Sequence, residues 1–206
     1  MAVIKLSDWG TRRVLSEYGL TPKRRLGMGL FCAVYEDGPD SVFKLTTDPI
    51  QRDSVRDYFG GTHFPALQKD IGYVGEQQAG ERSLFLFKAE RLRPTREADA
   101  ATRKLARQLV RMVDDCWRSD DAARKLRGRG SQAQLRSEGS ALVLNQLVDS
   151  PALPESIREA LEDVRLMVRD YTNLVIDFHG ANLMVRGTDE LVLNDIIVDG
   201  DLLYLN

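Results

Sequence analysis

The chain has 206 residues, 43% of them apolar and 29% charged, with a formal charge of -2. These values suit a soluble globular protein of one generous domain or two small lobes around a cleft. They give no general reason to expect nucleic acid or an anionic membrane as partner. Cys32 and Cys116, with two histidines elsewhere, form no cluster, which speaks against a disulfide framework or a zinc site and makes a reducing cytoplasm the expected setting. The N-terminal residues lack the apolar core of a signal peptide, and no stretch approaches the roughly 18 apolar residues of a membrane span.

In chain order, Ser7 can cap a helix running to about Tyr18, with Gly19 and Pro22 as stop signals. Three short strands then follow between Lys23 and Thr46. The first pair is joined by a glycine-containing bend and the second by Glu36-Asp37-Gly38-Pro39-Asp40, a run dense in turn formers. Residues 48–59 read as one short helix, and Ile71–Val74 and Ser83–Phe87 as two further strands. Glu90 to Pro94 ends this β-rich part. Beyond it Ala98, Ala101, Leu105, Leu109, Met112 and Cys116 recur at helical spacing. Residues 118–139 are polar, with Arg124, Lys125, Arg127, Arg129 and Arg136, and read as an exposed segment with a solvated basic face. Two more helices are expected over 141–148 and after Pro154. Three short apolar runs follow at Leu174–Ile176, Leu183–Val185 and Leu191–Leu193, the last two joined by a turn at Gly187-Thr188-Asp189.

Three places carry chemistry. Gly27-Met28-Gly29 lets backbone approach phosphate oxygens without Cβ clashes, although an ordinary hairpin turn would read the same way. Lys44 sits among Val42, Phe43 and Leu45, where a cation must reach solvent or find an anion; an outward-facing strand lysine is the commoner case. Asp177 and Asn182 lie five positions apart in a loop between apolar runs, and Asp195 follows Asn182 by thirteen at the end of the last run. Carboxylate, amide and carboxylate together can hold a hard cation through oxygen.

These residues together resemble the protein-kinase superfamily. Leu26-Gly27-x-Gly29-x-Phe31-x-x-Val34-Tyr35 resembles its glycine-rich loop, and Val42-Phe43-Lys44 its phosphate-binding lysine strand. Asp177-x-x-x-x-Asn182 resembles the catalytic loop, and Asp195 the aspartate that opens the Asp-Phe-Gly motif. The resemblance implies an α+β, two-lobed, reduced protein-kinase-like fold. Residues 1–90 would form an antiparallel β lobe and 91–206 a truncated helical lobe. It also implies ATP and magnesium. Gly27, Gly29, Phe31 and Val34 would meet the nucleotide, Lys44 its phosphates, and Glu90 and Leu92 the base as a hinge. Asn182 and Asp195 would hold the metal, and Asp177 would orient the acceptor hydroxyl and take its proton.

The sequence also departs from the family. Val175 stands where a histidine precedes the catalytic aspartate, Cys32 replaces the third glycine, and Ile196-Ile197 follow Asp195. The helix that should pair Lys44 carries no glutamate, so Asp53 or Asp57 is the expected partner, Asp57 first. Only eleven residues follow Asp195, leaving no activation segment. In that brevity the chain resembles the short kinase-like proteins of tailed bacteriophages, which implies a protein serine or threonine acceptor, itself included, in a host bacterial cytoplasm. A catalytically weak binding or inhibitor protein of the same shape is the alternative. Asp177-Phe-His179-Gly-Ala-Asn182 also resembles the loop of aminoglycoside and choline kinases, a small-molecule alternative. His179 itself reads as a loop-packing residue, and Asp199 and Asp201 as solvated.

Overall fold

The computed structural model describes residues 3–118, 132–171 and 173–204. The architecture is the expected α+β arrangement, an antiparallel sheet followed by helices and short hairpins. The chain forms two compact units. The first takes the residues up to 57 together with 66–91, and the second takes 58–65 and 92–204. The eight residues 58–65 therefore leave the first unit's run and pack with the second.

The first unit is built on five antiparallel strands. They are β1 (Arg25–Met28), β2 (Cys32–Glu36), β3 (Ser41–Thr46), β4 (Leu67–Glu76) and β5 (Ser83–Glu90), in the order β1-β2-β3-β5-β4. Strand periodicity divides their side chains between two faces. Ala33, Tyr35, Leu45, Leu84 and Leu86 form one face, which packs with Val14 of helix α1 (Trp9–Glu17) and with Ile4 and Leu20. Val42, Phe87 and Ala89, with Val34 and Leu67, form the other. Helix α1 approaches the sheet closely because Gly10 has no side chain. A Cβ there would stand 1.8 Å from the Glu76 carbonyl oxygen.

Helix α2 (Pro49–Asp53) is capped by the Asp48 carboxylate, which accepts from the Ile50 amide at 2.9 Å. It continues into one π-helical turn, Ser54–Tyr58, so the single helix expected over 48–59 is present in two parts.

In the second unit β6 (Arg93–Pro94) leads to α3 (Ala100–Arg118), whose first turn is closed by the Asp99 carboxylate on the Thr102 amide at 2.7 Å. That bond holds the Asp99 carboxyl below the usual carboxylate range. The buried line of α3 is Thr102, Ala106, Leu109 and Val113, rotated from the expected stripe; Ala101 is exposed. Helices α4 (Gln132–Val148) and α5 (Glu155–Asp170) pack on each other, and Val143, Leu144, Leu147, Ile157, Leu161 and Val164 are buried. The arginines and lysine expected on an exposed segment at 124–129 lie outside the described residues, whereas Arg136 is within α4.

Four short strands follow: β7 (Leu174–Ile176), β8 (Leu183–Arg186), β9 (Glu190–Leu193) and β10 (Ile197–Asp199). β8 pairs with β6 and β9, and β7 with β10, all antiparallel. Residues 62–64 lie along the β9 edge. The Leu193 amide donates to the His63 carbonyl at 2.8 Å, and Arg186 donates to the carbonyls of Thr62 at 2.6 Å and Phe64 at 2.9 Å. A final helix, α6 (Gly200–Tyr204), closes the described chain. Among the described residues, no helix is long and apolar enough to cross a membrane.

Candidate active site

In the first unit, the turn between β1 and β2 is closed by the Gly29 amide donating to the Cys32 carbonyl at 2.8 Å. Its exit is anchored through the Phe31 carbonyl, which accepts from the Thr47 amide at 2.8 Å and the Thr46 hydroxyl at 3.0 Å. Phe31 is buried, and Leu26, Met28 and Leu30 are half exposed. Neither Gly27 nor Gly29 has a positive φ. A Cβ on Gly27 would meet nothing within 4 Å, and one on Gly29 would only touch the Cys32 carbonyl at 3.9 Å. The fold of the turn thus requires glycine at neither position.

Lys44 is only 4% exposed, which overturns the commoner expectation of an outward strand lysine. Register places it between Val34 of β2 and Phe87 of β5, on the apolar face away from α1. Its ammonium lies 6.0 Å from the Phe87 ring centroid. A buried cation is costly unless an anion meets it.

The two aspartates expected near Lys44 engage arginines. Asp57 receives Nε of Arg56 at 2.7 Å, and Asp53 pairs with Arg52 at 3.0 Å and Arg56 at 3.2 Å. The Arg56 guanidinium holds the Asp57 carboxyl below its usual range. Glu90 ends β5 and holds Ala66, its amide donating to the Ala66 carbonyl and its carboxylate accepting the Ala66 amide, each at 3.0 Å. Leu92 begins the second unit.

In the second unit, two ladders pin the loop 177–182 against residues 193–197. β7 pairs Ile176 with Ile197, and the Asp177 amide extends that pairing to the Ile196 carbonyl at 2.8 Å. β8 pairs Leu183 with Leu193, and the Asn194 amide extends that one to the Asn182 carbonyl at 2.8 Å. Asp195 lies where the chain leaves one ladder for the other, at φ +51°, a conformation costly for a residue other than glycine.

Asn182 ties the three residues together. Its amide nitrogen donates to the Asp177 carbonyl at 2.8 Å, the Asp177 carboxylate at 3.1 Å and the Asp195 carbonyl at 3.0 Å. With the nitrogen so used, the amide oxygen keeps its lone pairs for a cation. His179 is part of the same loop. Its Nδ1 accepts the Ala181 amide at 3.3 Å, so the neutral ring carries its proton on Nε2, which points to the Asp177 carboxylate at 3.4 Å. Asp177 is about half exposed, at 51% of its side chain.

Two supports were not read from the sequence. The side-chain amide of Asn194 donates to the Asp195 carboxylate at 3.1 Å. The buried Ser140 hydroxyl of α4 accepts the Ile176 amide at 3.0 Å, next to Asp177. Asp199 and Asp201 serve local structure, the Asp201 carboxylate accepting from Asn173 at 2.6 Å and the Asp199 carboxylate from the Asp201 amide at 2.9 Å.

Among the described residues, no group of three or more His, Cys, Asp or Glu is placed to hold a metal ion. One carboxylate and one amide oxygen still suit magnesium, which commonly takes one or two protein oxygens and completes its shell with phosphates and water. Asp195 and Asn182 carry one carboxylate and one amide oxygen of that kind.

Beside this loop the second unit carries a groove of about 640 Å³, open along one side of α3 and reaching Gly180 and Leu183. Arg96, Arg103, Arg107, Arg111 and Arg118 line it, with Asp114 and Asp115. The sequence reading passed over these arginines in favour of those at 124–136. Their signal was the four-residue spacing of 103, 107 and 111, on the side of α3 away from its apolar line.

No protein-family model matches the chain, and no curated protein sequence does. Among solved structures, the chain is similar to the apo form of a thermostable mutant of aminoglycoside phosphotransferase APH(4)-Ia, at 15% identity and a TM-score of 0.39, over 92% of this chain and 73% of that one. It is also similar to a ternary complex of that phosphotransferase with ADP and hygromycin B, at 15% identity and a TM-score of 0.37, over 97% and 74%. A streptomycin–ATP complex of APH(2")-IIa is similar at 11% identity and a TM-score of 0.33, again over 97% and 74%.

Proposed function

We propose that this protein is an ATP- and magnesium-dependent phosphotransferase whose acceptor is a serine or threonine hydroxyl of a protein. One observation supports the reading: the Asn182 side-chain nitrogen binds Asp177 and the main-chain carbonyl of Asp195, so a carboxylate suited to take a proton and the two residues proposed to hold the cation share one hydrogen-bonded unit.

Phosphoryl transfer asks a protein for position and charge neutralisation more than for covalent help. Asp177, half exposed and steered through one carboxylate oxygen by His179 and Asn182, presents the other to an acceptor hydroxyl and takes its proton. Asp195 and Asn182 would hold magnesium, which would draw charge from the phosphate oxygens. Lys44, buried among Val34 and Phe87, supplies a fixed cation for a phosphate. Gly27 and Gly29, which the turn itself does not require, leave backbone accessible to phosphate oxygens.

Two other readings are weaker. A purely binding protein of this shape has no physical need for Lys44, Asp177, Asn182 and Asp195 together. An aminoglycoside acceptor is a polycation, which in the groove beside Gly180 would meet Asp114 and Asp115 but also five arginines.

The test is transfer from γ-labelled ATP with magnesium to protein, with the Asp177→Asn and Asp195→Asn variants alongside. Label that depends on both aspartates is the expected result. Full transfer by Asp177→Asn sinks the assignment of Asp177, and absence of both transfer and nucleotide binding in the unaltered protein leaves the binding reading.

A further inference from the structure

We infer that the arginine-lined groove along α3 is the acceptor-side binding site and that it takes an acidic peptide segment. The inference rests on the phosphotransferase reading for its location, since the groove includes Gly180 of the Asp177–Asn182 loop.

The charge of the groove decides the class of ligand. Arg103, Arg107 and Arg111 stand on successive turns of one side of α3, about 12 Å from first to third, and Arg118 extends the row to about 22 Å. Among the described residues, Arg107, Arg111 and Arg118 take part in no ion pair, whereas Arg103 is close enough to the Asp99 carboxylate to help hold its pKa down. Arg103 donates to the Ala98 carbonyl at 2.6 Å. The Arg96 side chain is 82% exposed and lies 4.0 Å from Glu97. Guanidinium groups bind carboxylate and phosphate through paired donors, so a row of them calls for several anions in line.

The length of the row and its remaining lining narrow the choice. A small molecule with one anionic group satisfies one or two arginines. An extended peptide with acidic residues at alternate positions places carboxylates about 7 Å apart on one side, close to the roughly 6 Å rise between successive arginines. Nucleic acid fits less well. The lining has no aromatic side chain for a base to stack on.

The experiment uses the full chain without nucleotide, so that binding is read separately from chemistry. Fluorescence anisotropy compares a ten-residue peptide carrying one serine among glutamates and aspartates with a neutral peptide, a lysine-flanked peptide and a ten-nucleotide single strand. The acidic peptide is expected to bind at least about tenfold tighter than the neutral one and to weaken as salt rises. The double variant Arg107→Glu with Arg111→Glu should lose that preference and gain one for the lysine-flanked peptide. A loss of fold cannot imitate this exchange, and unfolding midpoints serve as a further control. Equal binding of acidic and neutral peptides, an unchanged preference in the double variant, or tighter binding of the single strand would each overturn the proposal. If the charge exchange holds while no phosphate is ever transferred, the groove stands as a peptide site and the phosphotransferase reading falls.

Discussion

The amide nitrogen of Asn182 reaches the main-chain oxygen of Asp195 at 3.0 Å, thirteen residues further along the chain. The same nitrogen holds Asp177, so removing it frees both residues. Asn182→Ala should cost about 1 kcal/mol, since it leaves the partly buried Asp195 carbonyl without this donor while the Asp177 oxygens are exposed to water. Asn182→Asp should do at least as much harm, because a carboxylate would face the Asp177 carboxylate. Thermal unfolding measures the first effect, and magnesium-dependent nucleotide titration is expected to show lost affinity in both variants.

Asp195 occupies left-handed backbone, which glycine adopts freely. Asp195→Gly should therefore relieve about 1 kcal/mol of backbone strain, offset by loss of the Asn194 bond to the carboxylate and by the greater freedom of glycine in the unfolded chain, so its stability should stay close to the parent's. It should nevertheless lose transfer. A marked fall in its unfolding midpoint would show that the Asp195 side chain is needed for the fold.

Gly27→Ala separates the glycine turn from its proposed use. A methyl group there meets nothing in the protein, and φ is not positive, so stability should hold or rise by about 0.4–1 kcal/mol. Nucleotide affinity should drop by about tenfold, roughly 1.4 kcal/mol. Unchanged affinity would reduce Gly27 to an ordinary hairpin residue.

Gly10→Ala should behave in the opposite way. Its Cβ would sit 1.8 Å from the Glu76 carbonyl oxygen and 2.6 Å from that of Gln77, both of them backbone atoms. Helix α1 would have to move off the sheet edge, at a cost of about 3 kcal/mol or more. A urea titration should show the loss without any change in nucleotide chemistry beyond that due to unfolding.

Acid should weaken the first unit through Asp70. Arg52 binds its carboxylate with two nitrogens, Nε at 2.6 Å, and holds its pKa below the usual value. A depressed carboxyl contributes stability above its unfolded pKa of about 3.9, and that contribution disappears as pH falls through the lower folded value. Asp70→Asn should lose about 1 kcal/mol at neutral pH, as expected for a partly exposed pair, and should match the parent at the acid end of the titration. A constant difference across pH would mean that the contact acts through shape alone.

The sheet was legible because its strands are short apolar runs separated by turn formers, and Glu36–Asp40 and Gly187–Asp189 sit where β2–β3 and β8–β9 turn. β10 was missed, since Ile197–Asp199 is too short a run to stand out without its partner β7. For α3 the period was correct and the phase was not. Thr102 is buried by a bond to the Asp189 carbonyl at 2.9 Å, a tertiary contact that hydrophobicity does not encode. Spacing alone could bring Asp177 and Asn182 into one loop. The join to Asp195 needed two strand ladders, and the role of His179 needed the Ala181 amide, neither of which is written in a motif.

The placing of residues 62–64 along β9 has a practical consequence for anyone cutting the chain. A fragment beginning at Leu92 would keep the Asp177–Asp195 hairpins and lose His63, whose ring nitrogen lies 2.7 Å from the Leu191 carbonyl and whose own carbonyl takes the Leu193 amide. The strand Glu190–Leu193, with Leu191, Val192 and Leu193 all buried in the intact chain, would then present open backbone groups and a run of aliphatic side chains. Such an edge recruits another strand, and the nearest source at high concentration is a second fragment. Insolubility of the isolated C-terminal half would thus report a missing eight-residue cover rather than an inability to fold.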